Sequence, residues 1–209
     1  MLPLQYVTIV LLTQRQHGVS PKNMPGKTNS DQGGTAAAPA RASNASVEHV
    51  LSQATTPQQF CAALAKLFGV RPTEVALMRL EKGLLNFVHP EQLRTAGSIP
   101  VSSSSAVAAH TASTKKTELF NAFVKVKHAS IFESVKLTNP ADDDDRSGQS
   151  AIQKLMSAPI LDGQRKVLGV VQVCRKGFDP GTAGPDFSQD DLQQLELAAK
   201  VLSTLPFIK

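Results

Sequence analysis

The sequence has few of the residues that usually form a base-stacking surface. It contains no Trp, one Tyr and only two Cys in 209 residues. Its aromatic residues are not interleaved with basic ones, the pattern that forms a stacking surface for nucleic-acid bases. Its formal charge is +5, but residues 1–45 hold four basic residues and one acidic residue, which leaves +2 for the other 164 residues. The rest of the chain is close to neutral, so nucleic-acid binding is disfavoured.

Membrane-spanning and metal-binding patterns are also missing. The apolar segment LPLQYVTIVLL at residues 2–12 is too short to span a bilayer, which takes about 20 residues. No basic residue precedes it, so a secretory signal is only the alternative interpretation. Cys61 and Cys174 have no second Cys or His at metal-ligand spacing. We interpret them as buried thiols of a cytoplasmic protein, and we expect neither a metal site nor a membrane partner.

The first 45 residues differ in composition from the rest of the chain. Residues 13–44 are rich in Gly, Pro, Ser, Ala, Asn and Gln and show no apolar period. Such a segment cannot bury enough apolar surface to offset the entropy lost when its backbone is ordered. We predict a disordered N-terminal extension over residues 1–45 and a folded domain over residues 46–205.

The first half of the predicted domain alternates helical and strand patterns. Residues 46–54 form a short helix, and a second helix starts at the N-cap candidate Thr56, with Pro57 next and a capping box completed by Gln59. Gly69 ends this helix. The segments TEVALMRL and LLNFV then form a hairpin around EKG. PEQLR is a helical turn, SIPVS is a strand, and SSSSAVAAHTAS contains a helix of small residues.

The second half ends in two apolar strands and a capped helix. Residues 117–137 show neither period, and ADDDDRSGQS at residues 141–150 is a solvated loop because four like charges repel one another. AIQKLMSAPIL and VLGVVQVC are strands joined by DGQRK, and Ser188 with Asp191 caps the last helix. This order predicts an α+β fold, with one antiparallel sheet and helices on both sides.

The order of these segments resembles that of GAF domains. VLGVVQVCRKG followed by FSQDDLQQLELAAKVL is similar to the closing strand and helix of that family, and SIPVSSSSAVAAHTAS is similar to its strand and small-residue helix beside the ligand pocket. TTPQQFCAALAKLFGV and TEVALMRLEKG resemble its opening helix and hairpin. The resemblance covers about residues 46–205 and implies a GAF-like antiparallel sheet of five to six strands.

The resemblance implies a sensory or regulatory module but not a particular ligand. Members that bind cyclic nucleotides carry Asn-Lys where this chain has Cys174-Arg175, so the resemblance gives no support for a cyclic nucleotide. Bilin-binding members attach their chromophore through a Cys commonly followed by His, and neither cysteine has that neighbour. The family's methionine sulfoxide reductases use several cysteines. We therefore expect an unidentified small-molecule ligand and an unknown cofactor.

Polar and aromatic residues on the expected pocket side form the candidate ligand site. The serine run offers hydroxyls and amide N–H groups to an anion at a helix N-terminus, although simple helix capping explains the same serines. The cation that ends the closing strand is expected over the pocket mouth, as a clamp for an anionic group, with a solvated strand end as the alternative. The candidate residues are Ser102, Ser104, Ser105, His110, Phe123, His128, Gln172 and Arg175.

A reactive thiol is a weaker hypothesis. Two cations follow Cys174 and can lower the pKa of its thiol. Strand alternation, however, puts Cys174 on the face of Leu168, Val170 and Gln172, where a buried thiol is inert.

Three classes of function follow. The first is a non-enzymatic sensor that binds a small molecule and signals through a partner protein or its own dimer. The second is a dimerisation or scaffold module whose pocket is filled by Phe120, Phe123 or Phe132. The third is a thiol redox sensor or a reductase. No catalytic triad order or phosphate-binding loop occurs in the sequence, so we expect no enzyme, and we expect a homodimer through the terminal helices, using Leu197 and Val201.

Overall fold

The helices lie at both ends of the described chain and in its middle. Our computed structural model describes residues 44–123 and 151–209. The predicted extension up to residue 43, the segment 124–137 with His128, and the acidic loop lie outside these ranges. The four helices of the described residues are α1 (Asn44–Ser52), α2 (Pro57–Phe68), α3 (Val107–Thr114) and α4 (Gln189–Leu202).

The described strands form one antiparallel sheet of six strands in the order β3-β2-β1-β6-β5-β4. Two 3₁₀ turns, Pro72–Glu74 and Glu91–Leu93, flank the first hairpin. The predicted α+β class, with helices on both faces of the sheet, is confirmed. The strands are β1 (Val75–Glu81), β2 (Leu84–His89), β3 (Ser98–Pro100), β4 (Glu118–Phe120), β5 (Ala151–Leu161) and β6 (Val167–Gly177).

The sheet separates two apolar cores. Helices α1, α2 and α4 cover one face, here called the helix side, where Val75 and Leu77 of β1 are buried. Helix α3 covers the other face, here called the α3 side, where Ala76 and Met78 are buried. Because both faces of β1 are covered, its sequence is apolar at successive positions and does not alternate with polar residues.

Helix α2 begins and ends at the predicted residues. The Thr56 side chain accepts a hydrogen bond from the Gln59 N–H at 3.2 Å. The Gln59 side chain reaches the N–H of Thr55 at 3.0 Å, one residue before the partner expected in a capping box. Gly69 ends the helix with a φ of 59°, a left-handed conformation that glycine adopts without a Cβ clash.

Helix α4 has the complete capping box that the sequence predicts. The Ser188 hydroxyl accepts from the Asp191 N–H at 3.1 Å, and the Asp191 carboxylate accepts from the Ser188 N–H at 2.7 Å. Leu195 and Leu202 of the predicted stripe are buried, but Val201 is buried with them in the helix-side core. The expectation that Val201 is an exposed dimer contact is therefore wrong, because its own chain covers it.

A bulge near the start of β6 changes which residues face α3. The register passes from Ile160–Gly169 pairing to Leu161–Val167 pairing and so skips Leu168. Leu168 packs in the helix-side core, whereas Cys174 lies on the α3 side. The predicted shared face of Leu168 and Cys174 is wrong because a bulge shifts the alternation by one residue.

Candidate functional site

A chain of polar side chains crosses the otherwise apolar α3 side. Ser157 of β5 and Gln172 of β6 are cross-strand partners, and Thr111 of α3 lies above them. The hydroxyls of Thr111 and Ser157 are 2.7 Å apart, and the Gln172 amide Nε2 donates to Ser157 Oγ at 3.2 Å. All three side chains are buried. Buried polar groups need partners, and these residues supply them to one another.

Glu118 determines the direction of the hydrogen bonds in this chain. Its Oε2 accepts from the Thr111 hydroxyl at 2.9 Å. A hydroxyl has one proton to donate, so Ser157 donates to Thr111, and Gln172 donates to Ser157. The donors therefore all point toward the carboxylate, an arrangement in which each bond polarises the next. We call Thr111, Glu118, Ser157 and Gln172 the polar chain.

The outer end of the polar chain reaches solvent. Glu118 lies on the edge strand β4, and 18% of its side chain is exposed. Its Oε1 is 2.9 Å from Nδ1 of His110, whose side chain is 54% exposed. The predicted residues His110 and Gln172 thus belong to the two ends of one network. Sequence reasoning missed Thr111, Glu118 and Ser157, which connect them.

The serine run precedes α3 but does not cap it. The N-cap residue is Ala106, which makes no side-chain capping bond. Ser103 and Ser105 bond each other at 3.2 Å, while Ser102, Ser104 and Ser105 are exposed. The expectation of serine capping is wrong, since the loop places these hydroxyls one or more residues before the cap position.

Phe123 fills part of the α3 side. Its side chain is buried within the α3-side core. The rings of Phe120 and Phe123 meet edge to face, with centroids 6.0 Å apart. This arrangement is typical of aromatic pairs in protein cores. Aromatic side chains of the protein therefore already fill part of the sheet face on which the polar chain lies.

Arg175 lies on the helix side, away from the polar chain. Its guanidinium donates to the carbonyls of Phe68 and Gly69 at 2.9 and 3.2 Å, where α2 ends. It also lies over the Phe187 ring, 4.6 Å from the centroid. The expectation that Arg175 stands over the pocket mouth is wrong, because side chains alternate along β6 and position 175 faces the helices.

The surroundings of Arg175 explain the basic end of the closing strand. Burial lowers the pKa of Arg175, while the nearby carboxylates of Glu74 and Asp191 raise it. Its cross-strand partner Lys154 is almost fully buried and donates to Gly184 O at 2.5 Å and to Asp186 at 2.7 Å. The two cations therefore hold α2 and the loop before α4 onto the sheet.

The two cysteines are buried on opposite faces of the sheet. Cys61 of α2 lies in the helix-side core and Cys174 in the α3-side core. Burial raises the pKa of the Cys61 thiol to about 12. A thiol reacts as its thiolate, so Cys61 is inert near neutral pH in the folded protein. The sheet between the two cysteines prevents them from forming a disulfide with each other without unfolding.

The described ranges contain neither a metal-binding cluster nor a membrane-spanning helix. Within residues 44–123 and 151–209, no group of three His, Cys, Asp or Glu side chains is arranged to hold a metal ion. Among the helices described, none is long and apolar enough to cross a membrane. His128 lies outside the described residues, so its place in the candidate site stays a prediction.

Comparison with known proteins identifies the family. The family model for the GAF domain matches residues 54–204. The chain belongs to the GAF domain family. A search of curated proteins finds no significant match. Membership of this family indicates a sensory or regulatory module in general terms, without naming its ligand.

Solved GAF domains share the fold at low sequence identity. The GAF domain of an Acinetobacter phosphoenolpyruvate-protein phosphotransferase is 12% identical with a TM-score of 0.55, covering 77% of this chain and 88% of that one. The corresponding Coxiella burnetii domain is 9% identical with a TM-score of 0.52, covering 77% and 88%. A free methionine-R-sulfoxide reductase from Neisseria meningitidis, solved with its substrate, is 16% identical with a TM-score of 0.49, covering 77% and 84%.

Proposed function

We propose that this GAF domain is a non-enzymatic sensory module that binds a small polar molecule on the α3 side of its sheet. The observation that carries the proposal is the polar chain. An apolar core needs no buried hydroxyl or amide, and apolar residues of similar shape do not require partners. A directed hydrogen-bond network that ends at a partly exposed carboxylate is suited to receive a polar ligand.

The ligand is expected to enter at the Glu118–His110 end of the network. There the carboxylate of Glu118 is the acceptor on which the other bonds converge. A ligand group that donates a hydrogen bond to Glu118 would compete with Thr111, which lies on α3, and with His110. Binding would therefore alter the attachment of α3 to β4 and β5, which is a route by which the domain can signal.

The output is expected through a protein surface, either a partner or a second copy. Helices α1 and α2 form a groove of about 540 Å³ lined mainly by apolar side chains such as Val47 and Leu67. Val50 at this groove is 57% exposed. An exposed apolar groove of this kind suits a weak homodimer. Two buried thiols are consistent with our expectation of a cytoplasmic location.

The alternative is a scaffold module with no ligand. The buried Phe123 and its contact with Phe120 favour it, because aromatic side chains already occupy part of the α3 side. A reductase is disfavoured by the positions of Cys61 and Cys174 on opposite faces of the sheet. A nucleophile and its resolving thiol must come within bonding distance.

Native mass spectrometry of the purified full chain tests the proposal. We expect a retained small molecule, and Glu118→Gln should weaken its binding about tenfold, the effect of losing one charge-assisted hydrogen bond. The matched control is Glu196→Gln, the same change on the exposed surface of α4, which should have no effect. Absence of any bound mass, with metabolite screening also negative, would favour the scaffold. The same spectra give the oligomeric state.

A further inference from the structure

A second concave site lies on the helix side of the sheet. It has a volume of about 400 Å³ and is bounded by strands β1 and β2, the start of α2 and the segment after α4. Because β1 separates it from the α3 side, it is not part of the site proposed above. Its lining includes Pro57, Arg79, Asn86, Arg94 and Phe207.

Arg79 brings an unsatisfied donor to this pocket. It follows Val75 and Leu77 on the helix face of β1 and pairs across the strands with Asn86. One terminal nitrogen of its guanidinium forms an ion pair with Glu81, but its Nε is buried and has no acceptor among the described residues. Buried N–H groups in native proteins are almost always paired. A ligand acceptor beside Arg79 would supply the partner that the described residues do not.

Arg94 supplies a second guanidinium, and its present partner is weakly held. Arg94 Nη1 is 3.5 Å from Glu91, with 49% of the arginine and 69% of the glutamate side chain exposed. Such exposed ion pairs contribute little, so an anion in the pocket can replace Glu91. The Asn86 amide adds a donor, whose bond to Leu84 O is long at 3.4 Å.

The rest of the lining suits an organic anion. The pocket wall includes Pro57, the first residue of α2, and the positive end of a helix dipole favours negative charge. Val88 and Phe207 provide apolar walls. A planar guanidinium binds a carboxylate or phosphate through two parallel hydrogen bonds, and two guanidiniums at one pocket can hold such a group between them.

We propose that this helix-side pocket binds a small organic anion, with its carboxylate or phosphate between Arg79 and Arg94 and its apolar part against Phe207. The site is independent of the ligand proposed for the α3 side. Its specificity is for the charged group and for an adjoining apolar group together. Inorganic phosphate alone should therefore bind more weakly than an aryl phosphate.

The test is a titration of the full-length protein by NMR at constant ionic strength. The probes are phenyl phosphate, benzoate, inorganic phosphate and the neutral analogue phenol. We expect saturable binding of phenyl phosphate and benzoate, weaker binding of inorganic phosphate and none of phenol. Absence of saturable binding by both organic anions would overturn the proposal and leave a water-filled pocket.

Three variants of equal net charge separate a specific site from general attraction. Arg79→Gln and Arg94→Gln should each weaken phenyl phosphate binding tenfold or more, the scale of one lost charge-assisted bond pair. Arg165→Gln, which removes an exposed arginine elsewhere, should change it less than twofold. Equal weakening by all three would overturn the proposal. Because Arg94 lies outside the strands, Arg94→Gln remains informative if Arg79→Gln fails to fold.

Discussion

Replacing Arg175 by alanine should destabilise the domain substantially. The guanidinium makes two charged hydrogen bonds to Phe68 O and Gly69 O and lies over the Phe187 ring. Hydrogen bonds from a charged group contribute about 1.5–3 kcal/mol each, and a cation–π contact about 0.5–2 kcal/mol. About half of the summed contribution is offset by partial solvent exposure and by the side-chain entropy lost on ordering. We therefore expect Arg175→Ala to lower the free energy of unfolding by about 2–4 kcal/mol.

Urea denaturation followed by circular dichroism measures this loss. Arg175→Lys should lower the free energy of unfolding by about half as much as Arg175→Ala. An ammonium keeps the charge but lacks the planar fork that reaches both carbonyls. Arg165→Ala is the control, an exposed arginine whose removal should change stability by less than about 0.5 kcal/mol. A value for Arg175→Ala within about 0.5 kcal/mol of the wild type would refute the capping role and restore a solvated strand end.

Three other predictions concern the core. In a double-mutant cycle, Thr111→Val and Ser157→Ala should couple by about 1 kcal/mol or more, since they share one hydrogen bond; additive losses in urea denaturation would argue against the polar chain. Gly169→Ala should lower the free energy of unfolding by about 3 kcal/mol or more, because the added Cβ would lie 2.1 Å from Met78 O. A melting temperature equal to that of the wild type would contradict this close approach. Cys61, with its pKa raised to about 12, should resist iodoacetamide at pH 8 until the protein unfolds; rapid native labelling, located by mass spectrometry, would show the burial to be wrong.

The fold was predictable because its signals are local. The Thr56 cap, Gly69 at the helix end and the Ser188–Asp191 box each act within one turn of helix, so the sequence alone defines them. Apolar strands that follow one another with short connections predict an antiparallel sheet. The predicted order of helices and strands is confirmed except for β4 (Glu118–Phe120), which lies in a segment where the sequence shows neither period.

The candidate site was predicted only in part because it depends on register. The bulge at Leu168 reverses the facing of the residues before it. The neighbouring Gly169 is a sequence signal for such a bulge, but it does not say which residue is skipped. The pairing of Ser157 with Gln172 could be predicted from the sequence. Each is a polar residue within an apolar strand, and one hairpin joins the two strands. Glu118 and Thr111 could not be matched to them, because contacts between α3 and the sheet depend on tertiary packing.

The role of Arg175 cannot be predicted from its charge alone, because the sequence does not show which acceptor its guanidinium contacts. A basic residue at a strand end is compatible with solvent, with a ligand or with a helix C-terminus. Its acceptors, Phe68 O and Gly69 O, lie more than 100 positions earlier in the chain. Backbone carbonyls carry no sequence signal, so only the structure distinguishes these three possibilities.

The location of ligand binding is the most direct test of the proposed sensory function. Alanine methyl groups report on both faces of the sheet, with Ala108 and Ala109 of α3 on one side and Ala65 of α2 on the other. NMR spectra of methyl-labelled protein, recorded with and without a defined mixture of polar metabolites that carry no carboxylate or phosphate, should show shifts at Ala108 and Ala109. Ala65 should not change. Shifts confined to Ala65, or no shifts at either face, would contradict a ligand site on the α3 side.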